Sequence, residues 1–237
     1  MELCRYVSFK RFCEMLFSQE LTLIKPEKWN DKYENYLLQI VNRQDGLTEF
    51  KAELMAASGF SAEIVDNMVE FAKRLCSISL CLCFSMSIDS EVMWNAYNDN
   101  NETIMWKTTD RKLESISRDF DLRIVRYDLE EIGFRAFLEL FSLYNDHTSI
   151  INAYEFFIHK RSMFSYEDEL RVVDISTENK DLEVRAYPIP SLKDFIDGVM
   201  VHPLASARYV SMVEQICHYF DIQFLGKSRI YELDNIY

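Results

Sequence analysis

The stretch from Lys160 to Arg171 combines two glutamates with an aspartate, a lysine, two arginines and a tyrosine. An extended backbone from Tyr166 onward places Glu167 and Glu169 on one face, and Arg171 falls on that face too. Two carboxylates this close raise the pKa of one of them unless a cation or a substrate hydroxyl compensates, and such pairs occur in sites that stabilise positive charge. The alternative is an exposed strand with a harmless ion pair, worth about 0–1 kcal/mol.

Ser85 and Ser87 lie where the nearly continuous apolar segment 77–85 ends. A hydroxyl at the end of a rigid central strand is well placed to meet a ligand. Trp94 and Tyr97 follow at i and i+3 of a short predicted helix, a spacing at which both rings can stack on a planar ligand. The alternative is that both rings are core aromatics and that Ser85 binds a neighbouring backbone group.

A third polar cluster runs from Trp29 to Glu34 and includes Asp31. It predicts a loop that presents carboxylates and an amide to a ligand. It equally predicts an Asx turn followed by a helix start, where acidic side chains are favoured by the helix dipole. Taken alone, the cluster favours the second interpretation.

Composition narrows the classes of protein. A formal net charge of −13 repels polyanions at long range, so a sequence-independent nucleic-acid coat protein is not expected. The four histidines lack metal-ligand spacing and none of the five glycines lies close to another, so we expect neither a bound metal nor a phosphate-binding loop. Cysteines without a C-x-x-C pair, and the lack of a leader or a long apolar run, predict a cytoplasmic protein with no membrane partner.

The elements that position these residues follow an α+β pattern. Residues 40–76 predict a helical insertion or lid, with Ser61 as a helix N-cap. Alternating apolar residues predict a hairpin made of segments 166–175 and 182–187. Strands lie in both halves of the chain without strict strand–helix alternation or a linker. We therefore expect a single domain over 1–237, with a central mixed or antiparallel sheet flanked by helices.

Five short pieces in this order resemble the bacterial domain of unknown function 2971 family, which occurs in prophage, abortive-infection and defence settings. The pieces are Arg5-Tyr6, Trp29-Asn30-Asp31 with Glu34, Cys83-Phe84-Ser85, Met93-Trp94 with Tyr97, and Tyr166 to Arg171. They span most of the chain. Two features depart from the pattern: Asn98 to Asn101 stand where members often have a glycine, and the helices over 47–76 lie outside it. The resemblance implies a role in phage defence or as a toxin, with an antitoxin or other protein as partner.

An arginine on the first strand, a Ser-x-Ser on a central strand and a later Glu-x-Glu form an order similar to that of arginine-serine-glutamate ADP-ribosyltransferases. This similarity implies an enzyme that breaks the glycosidic bond of NAD, its co-substrate, through an oxocarbenium-like state. The ADP-ribose would pass to a protein or nucleic-acid acceptor. Glu169 would hold the nicotinamide ribose and stabilise the developing positive charge, and Glu167 would lie near the acceptor nucleophile.

The same similarity implies the residues that bind NAD. Arg5 would pair with the diphosphate, because one well-placed guanidinium governs the local field even in an acidic protein. Ser85, with Ser87, would orient the nicotinamide ribose. Trp94 or Tyr97 would face the nicotinamide ring.

Two other classes of function stay open. A metal-dependent nuclease would use magnesium ligands with a lysine beside them, chosen from Asp31, Glu34, Glu167 and Glu169 with Lys160. A non-enzymatic recognition or sensor module would bind a phage or host protein through exposed aromatic residues, and its carboxylates would be dispensable.

Overall fold

A computed structural model describes residues 1–29, 47–129 and 154–232 of the chain. Within these residues, nine strands form one sheet. The strands are β1 (Glu2–Val7), β2 (Glu20–Ile24), β3 (Ser79–Ser85), β4 (Ile104–Thr109), β5 (Asp121–Ile124), β6 (Glu169–Ile175), β7 (Val184–Pro188), β8 (Gly198–Val201) and β9 (Phe224–Lys227).

The main path of the sheet runs β5-β6-β3-β1-β4-β8-β9, and β2 joins it by pairing with both β3 and β7. Strands β8 and β9 are parallel, whereas the other pairs are antiparallel. The sheet is therefore mixed and mostly antiparallel. The predicted α+β class is confirmed.

The sheet divides beside the middle of β3. Along one edge β3 pairs with β6 over its whole length. Along the other edge it pairs with β1 at Cys4–Ser85 and with β2 at Ile24–Cys81. In the described residues no strand pairs with β3 between these two points on that edge. The divergence of β1 from β2 leaves a gap in the sheet.

Helices cover both faces of the sheet. They are α1 (Phe9–Ser18), α2 (Leu47–Ser58), α3 (Ala62–Ile78), α4 (Glu91–Ala96), α5 (Asp110–Ile116), α6 (Leu192–Phe195) and α7 (Ala207–Tyr219). Ser8 begins α1 by accepting a hydrogen bond from the backbone N–H of Arg11, and Ser61 caps α3 in the same way, as its sequence predicted. No helix in the described ranges is both long and apolar enough to span a membrane.

Successive side chains of β3 point to opposite faces of the sheet and pack into two separate hydrophobic cores. Leu80, Leu82 and Phe84 join the core that contains Phe12 and Leu16 of α1. Cys81 points to the opposite face, where apolar side chains of the two helices of the predicted insertion pack against the sheet: Phe50, Leu54, Val65, Met68, Val69, Ala72 and Leu75. The helical segment predicted within 40–76 is confirmed from residue 47 onward, and α3 continues to Ile78.

Two predictions about β6, its partner strand and its first residue, are wrong. The predicted hairpin does not form, because β7 pairs with β2 whereas β6 pairs with β3 and β5. The strand also begins at Glu169 rather than at Tyr166. A 3₁₀ helix occupies Ser162–Glu167, and Asp168 adopts the left-handed conformation with φ of 42°. Short-range alternation could not reveal either the distant partner strand or this turn.

Candidate functional site

A cleft of about 340 Å³ opens beside the gap in the sheet, and we call it the central cleft. Ligand pockets commonly start at roughly this size. Its lining combines four cations and two carboxylates with three aromatic rings and four smaller side chains. These are Arg5, Arg11, Lys28 and Lys160; Glu167 and Glu169; Trp29, Tyr97 and Phe164; and Ile24, Cys81, Leu82 and Cys83.

Arg5 lies at the gap between β1 and β2. Its side chain is half-buried and its guanidinium carbon lies 5.6 Å from the ring centroid of Phe84. Within the described ranges this guanidinium forms neither an ion pair nor a hydrogen bond. Burial lowers the pKa of Arg5, although the group stays charged at neutral pH. A half-buried guanidinium that has no ion-pair partner in the described part of the chain is suited to bind an anion.

Glu169 is buried at the first position of β6 and binds two cations. Its Oε1 accepts a hydrogen bond from Nε of Arg171 at 2.6 Å, and its Oε2 accepts from Nζ of Lys160 at 3.0 Å and from Nη2 of Arg171 at 3.3 Å. Burial alone would raise the pKa of this carboxyl. The two cations outweigh burial and lower the pKa to about 2. Glu169 is therefore ionised at neutral pH.

Glu167 reaches the same lysine from the preceding 3₁₀ helix. Its Oε2 accepts a hydrogen bond from Nζ of Lys160 at 2.7 Å. The sequence predicted that two carboxylates this close need a compensating cation, and in the structure Lys160 lies between them while Arg171 binds Glu169 from the other side. The exposed-strand alternative is wrong, because Arg171 is fully buried and Glu169 is 2% exposed.

The end of β3 holds the backbone of the acidic loop. The hydroxyl of Ser85 donates to the carbonyl of Glu167 at 2.6 Å and accepts from the N–H of Ser87 at 3.0 Å. The N–H of Met86 donates to the carbonyl of Asp168 at 2.8 Å. Ser85 also lines a smaller cavity of about 60 Å³ together with Arg5, Tyr97 and both glutamates. Ser87 contributes to this arrangement through its backbone N–H, which donates to Ser85.

The two predicted aromatic residues lie in different environments. Tyr97 is 43% exposed, lines the central cleft and stacks on Tyr6, with ring centroids 6.2 Å apart. Trp94 is fully buried: its Nε1 donates to Asp89 at 2.8 Å and its ring packs edge-on against Tyr6 and His202. Trp94 is thus a core residue, as the alternative interpretation of this helix predicted. A nicotinamide contact remains open for Tyr97 alone.

The remaining candidates differ in their relation to the cleft. Arg171 lies behind it, with its guanidinium carbon 4.4 Å from the ring centroid of Trp29. Tyr166 is half-buried and its ring lies 6.3 Å from that of Phe164. Asp31 and Glu34 lie outside the described residues. In the three described ranges no group of three or more His, Cys, Asp or Glu side chains is arranged to hold a metal ion.

Sequence reasoning gave no individual role to Arg11, Lys28 or Cys83, which line the central cleft. Arg11 is an exposed position of an amphipathic helix, Lys28 lies in a 3₁₀ turn, and Cys83 belongs to an apolar strand. Each therefore had an ordinary structural explanation. One signal was available: alternation along β3 places Cys83 on the same face as Ser85.

No protein-family model matches the chain, and no curated protein matches it by sequence. The resemblance to the domain of unknown function 2971 family therefore stays a prediction. Two solved structures of Thermus sp. 2.9 DarT align with 94% of this chain. One, in complex with ADP-ribosylated ssDNA, has a TM-score of 0.42 at 10% identity over 92% of that chain. The other, in complex with NAD+, has a TM-score of 0.41 at 9% identity over 93% of that chain. Values this low assign this chain neither a family nor an activity.

Proposed function

We propose that this chain is an NAD-dependent ADP-ribosyltransferase-like enzyme. One observation carries the proposal: the Arg5 guanidinium, which has no ion-pair partner among the described residues, lines the same cleft as the ionised Glu169 and its neighbour Glu167. An anion-binding group and a carboxylate pair in one cleft match a ligand that has a diphosphate at its centre and develops positive charge at one ribose. NAD has both features.

Each proposed role follows from a position in the cleft. Arg5 pairs with the diphosphate, and Arg11 lies on the same wall. Besides its hydrogen bonds with Arg171 and Lys160, the Glu169 carboxylate accepts a weak one from the thiol of Cys83, and a ribose hydroxyl in the cleft would take the place of that thiol. Its negative charge stabilises the oxocarbenium-like state that forms as nicotinamide leaves. Glu167 lies beside it, where an acceptor nucleophile would approach.

Two proposed residues act at the edge of the cleft. Ser85 positions the acidic loop by binding the carbonyl of Glu167, and from the smaller cavity its hydroxyl lies near the proposed ribose position. Tyr97 offers a partly exposed ring to the nicotinamide.

Release of nicotinamide from NAD by the purified protein, with and without cell lysate as a source of acceptors, tests the proposal. Glu169→Gln keeps the shape of the side chain and removes its charge. We expect it to lower the rate by about 100-fold or more, since groups that stabilise developing charge typically contribute this much. Glu178→Gln, an exposed glutamate paired with Arg185 at 3.0 Å, is the matched control and should leave the rate unchanged. A Glu169→Gln protein as fast as wild type would refute the proposal.

The same assay separates the other two classes. Nucleic-acid cleavage that a chelator abolishes, without nicotinamide release, would favour the metal-dependent nuclease. Inactivity in both assays, together with unaltered partner binding by the glutamine variants, would favour the recognition module.

We further propose that the enzyme acts in the cytoplasm in phage defence or as a toxin, with a macromolecular acceptor and a controlling protein partner. Growth arrest on expression of the wild-type chain, relieved in Glu169→Gln, tests that role.

A further inference from the structure

Lys160 is the common partner of the two glutamates. Its side chain is 5% exposed, yet it lines the central cleft. Its backbone is fixed on both sides, because its N–H donates to the carbonyl of Arg126 at 2.9 Å and its carbonyl accepts from the N–H of Leu129 at 3.2 Å. The ammonium therefore extends from a fixed point to both carboxylates.

The two carboxylates come from different kinds of backbone. Glu167 ends a 3₁₀ helix and Glu169 begins β6, with Asp168 in the left-handed conformation between them. Because the two residues belong to different backbone elements, regular secondary structure does not fix the position of one carboxylate relative to the other. Lys160 does so, with 2.7 Å to one carboxylate and 3.0 Å to the other. The bridge fixes the position of Glu167, whose own backbone segment is a short turn.

Lys160 differs from the other cation of this cluster. Arg171 is fully buried behind Glu169, where it binds the carbonyl of Phe157 and packs on Trp29. Removing Arg171 would disturb the core as well as the site. Lys160 lies on the cleft side and contacts both carboxylates, so a change there acts mainly on the acidic pair. The two glutamates and the two cations balance in formal charge.

We propose that Lys160 is a positioning residue whose ammonium holds Glu167 and Glu169 in a fixed relation and balances their charge. The expected effect of Lys160 on the rate of turnover rests on the proposed NAD cleavage. Without the ammonium, Glu167 and Glu169 lose the cation that lies between them. One carboxylate then takes up a proton more readily, and Glu167 turns toward water.

Steady-state kinetics of Lys160→Met and Lys160→Arg test the positioning role. We expect Lys160→Met to lower kcat by about 100-fold with KM within about threefold of wild type, since a displaced catalytic group costs rate more than binding. Lys160→Arg retains the charge and should recover part of kcat. Lys193→Met, at an exposed lysine paired with Asp221 at 3.3 Å, is the matched control. A kcat within twofold of wild type for Lys160→Met would overturn the proposal.

Carboxyl titration by NMR on glutamate-labelled protein tests the same role without any turnover. The described titratable or charged groups around the ammonium come from several elements: Glu167, Glu169, Arg171, Tyr97, Tyr127, Tyr166 and Cys83, with Arg5, Arg11 and Lys28 in the lining of the same cleft. We expect at least one of the two glutamates to titrate at higher pH in Lys160→Met than in wild type, and Lys160→Arg to restore the wild-type curve. If both curves are unchanged, the proposal fails.

The two measurements keep the two proposals apart. A wild-type protein that neither binds nor cleaves NAD would refute the proposed function, whereas the titration would still decide whether Lys160 sets the state of the carboxylates. If Lys160→Met does not fold, the Lys160→Arg protein is measured instead. Carboxyl titration curves and thermal unfolding that match those of wild type support the role. Titration curves that depart from those of wild type overturn it.

Discussion

The guanidinium of Arg5 lies over the ring of Phe84, with 5.6 Å between its carbon and the ring centroid. Both side chains project from the same face of neighbouring strands at the point where the sheet divides. The ring covers one side of the cation, and no described side chain neutralises it. In a chain with a formal net charge of −13, this guanidinium gives the cleft a local positive charge, which favours an anionic ligand.

Ser85→Ala tests the link between β3 and the acidic loop. The substitution removes the hydrogen bonds that the hydroxyl makes with the carbonyl of Glu167 and with the N–H of Ser87. We expect the free energy of unfolding to fall by about 1–3 kcal/mol, together with a lower rate of NAD cleavage because the backbone of Glu167 loses its link to β3. Urea unfolding and nicotinamide release measure the two effects.

Ser211→Ala is the control for this change, since Ser211 is an exposed residue of α7. It should alter neither quantity. Equal stability of Ser85→Ala and wild type would show that the hydroxyl does not hold the loop.

The ion pairs of Glu169 predict how stability depends on pH. Its pKa is about 2 in the folded protein and close to 4.5 when the chain is unfolded. Because the folded pKa is the lower one, the stabilising contribution is complete above about pH 5 and is lost as the pH falls toward 2. Glu169→Gln should therefore lose stability at pH 7 and show a smaller fall between pH 5 and pH 3. Urea unfolding at these pH values measures this, with Glu178→Gln as control. An unchanged pH dependence in Glu169→Gln would contradict the assignment.

Trp29 should report ligand binding by its fluorescence. It lines the central cleft, whereas Trp94 is fully buried away from it. A nicotinamide ring in the cleft accepts electrons and quenches a nearby indole, so NAD should lower the emission of wild-type protein. We expect Trp29→Phe to abolish this change and Trp94→Phe to retain it. The opposite pattern would place the ligand outside the cleft.

Much of the fold followed from the sequence because it depends on local signals. The N-cap Ser61 and the apolar segment that forms β3 are set by neighbours within a few residues. Local signals could not reveal the partner of β7, because β7 pairs with β2, which lies far earlier in the chain. Strand pairing at such separation depends on the whole arrangement of the sheet.

The candidate site was predicted in part for a similar reason. Residue order suggested Arg5, Ser85 and the two glutamates, and the structure places these side chains around adjoining cavities. Order could not separate Trp94 from Tyr97, because two rings at i and i+3 share one helical face. Burial decides between them: Tyr97 lies beyond the end of α4, toward the cleft, and Trp94 inside the core.

Calorimetric titration of NAD into wild-type protein and into Arg5→Met tests the central claim most directly. Arg208→Met, at an exposed arginine of α7, is the matched control. The account predicts saturable binding by wild type and by Arg208→Met, with an affinity about 10- to 100-fold weaker in Arg5→Met, the usual value of a charge-assisted hydrogen bond. Absence of binding by wild type, or equal affinity in Arg5→Met, would contradict it.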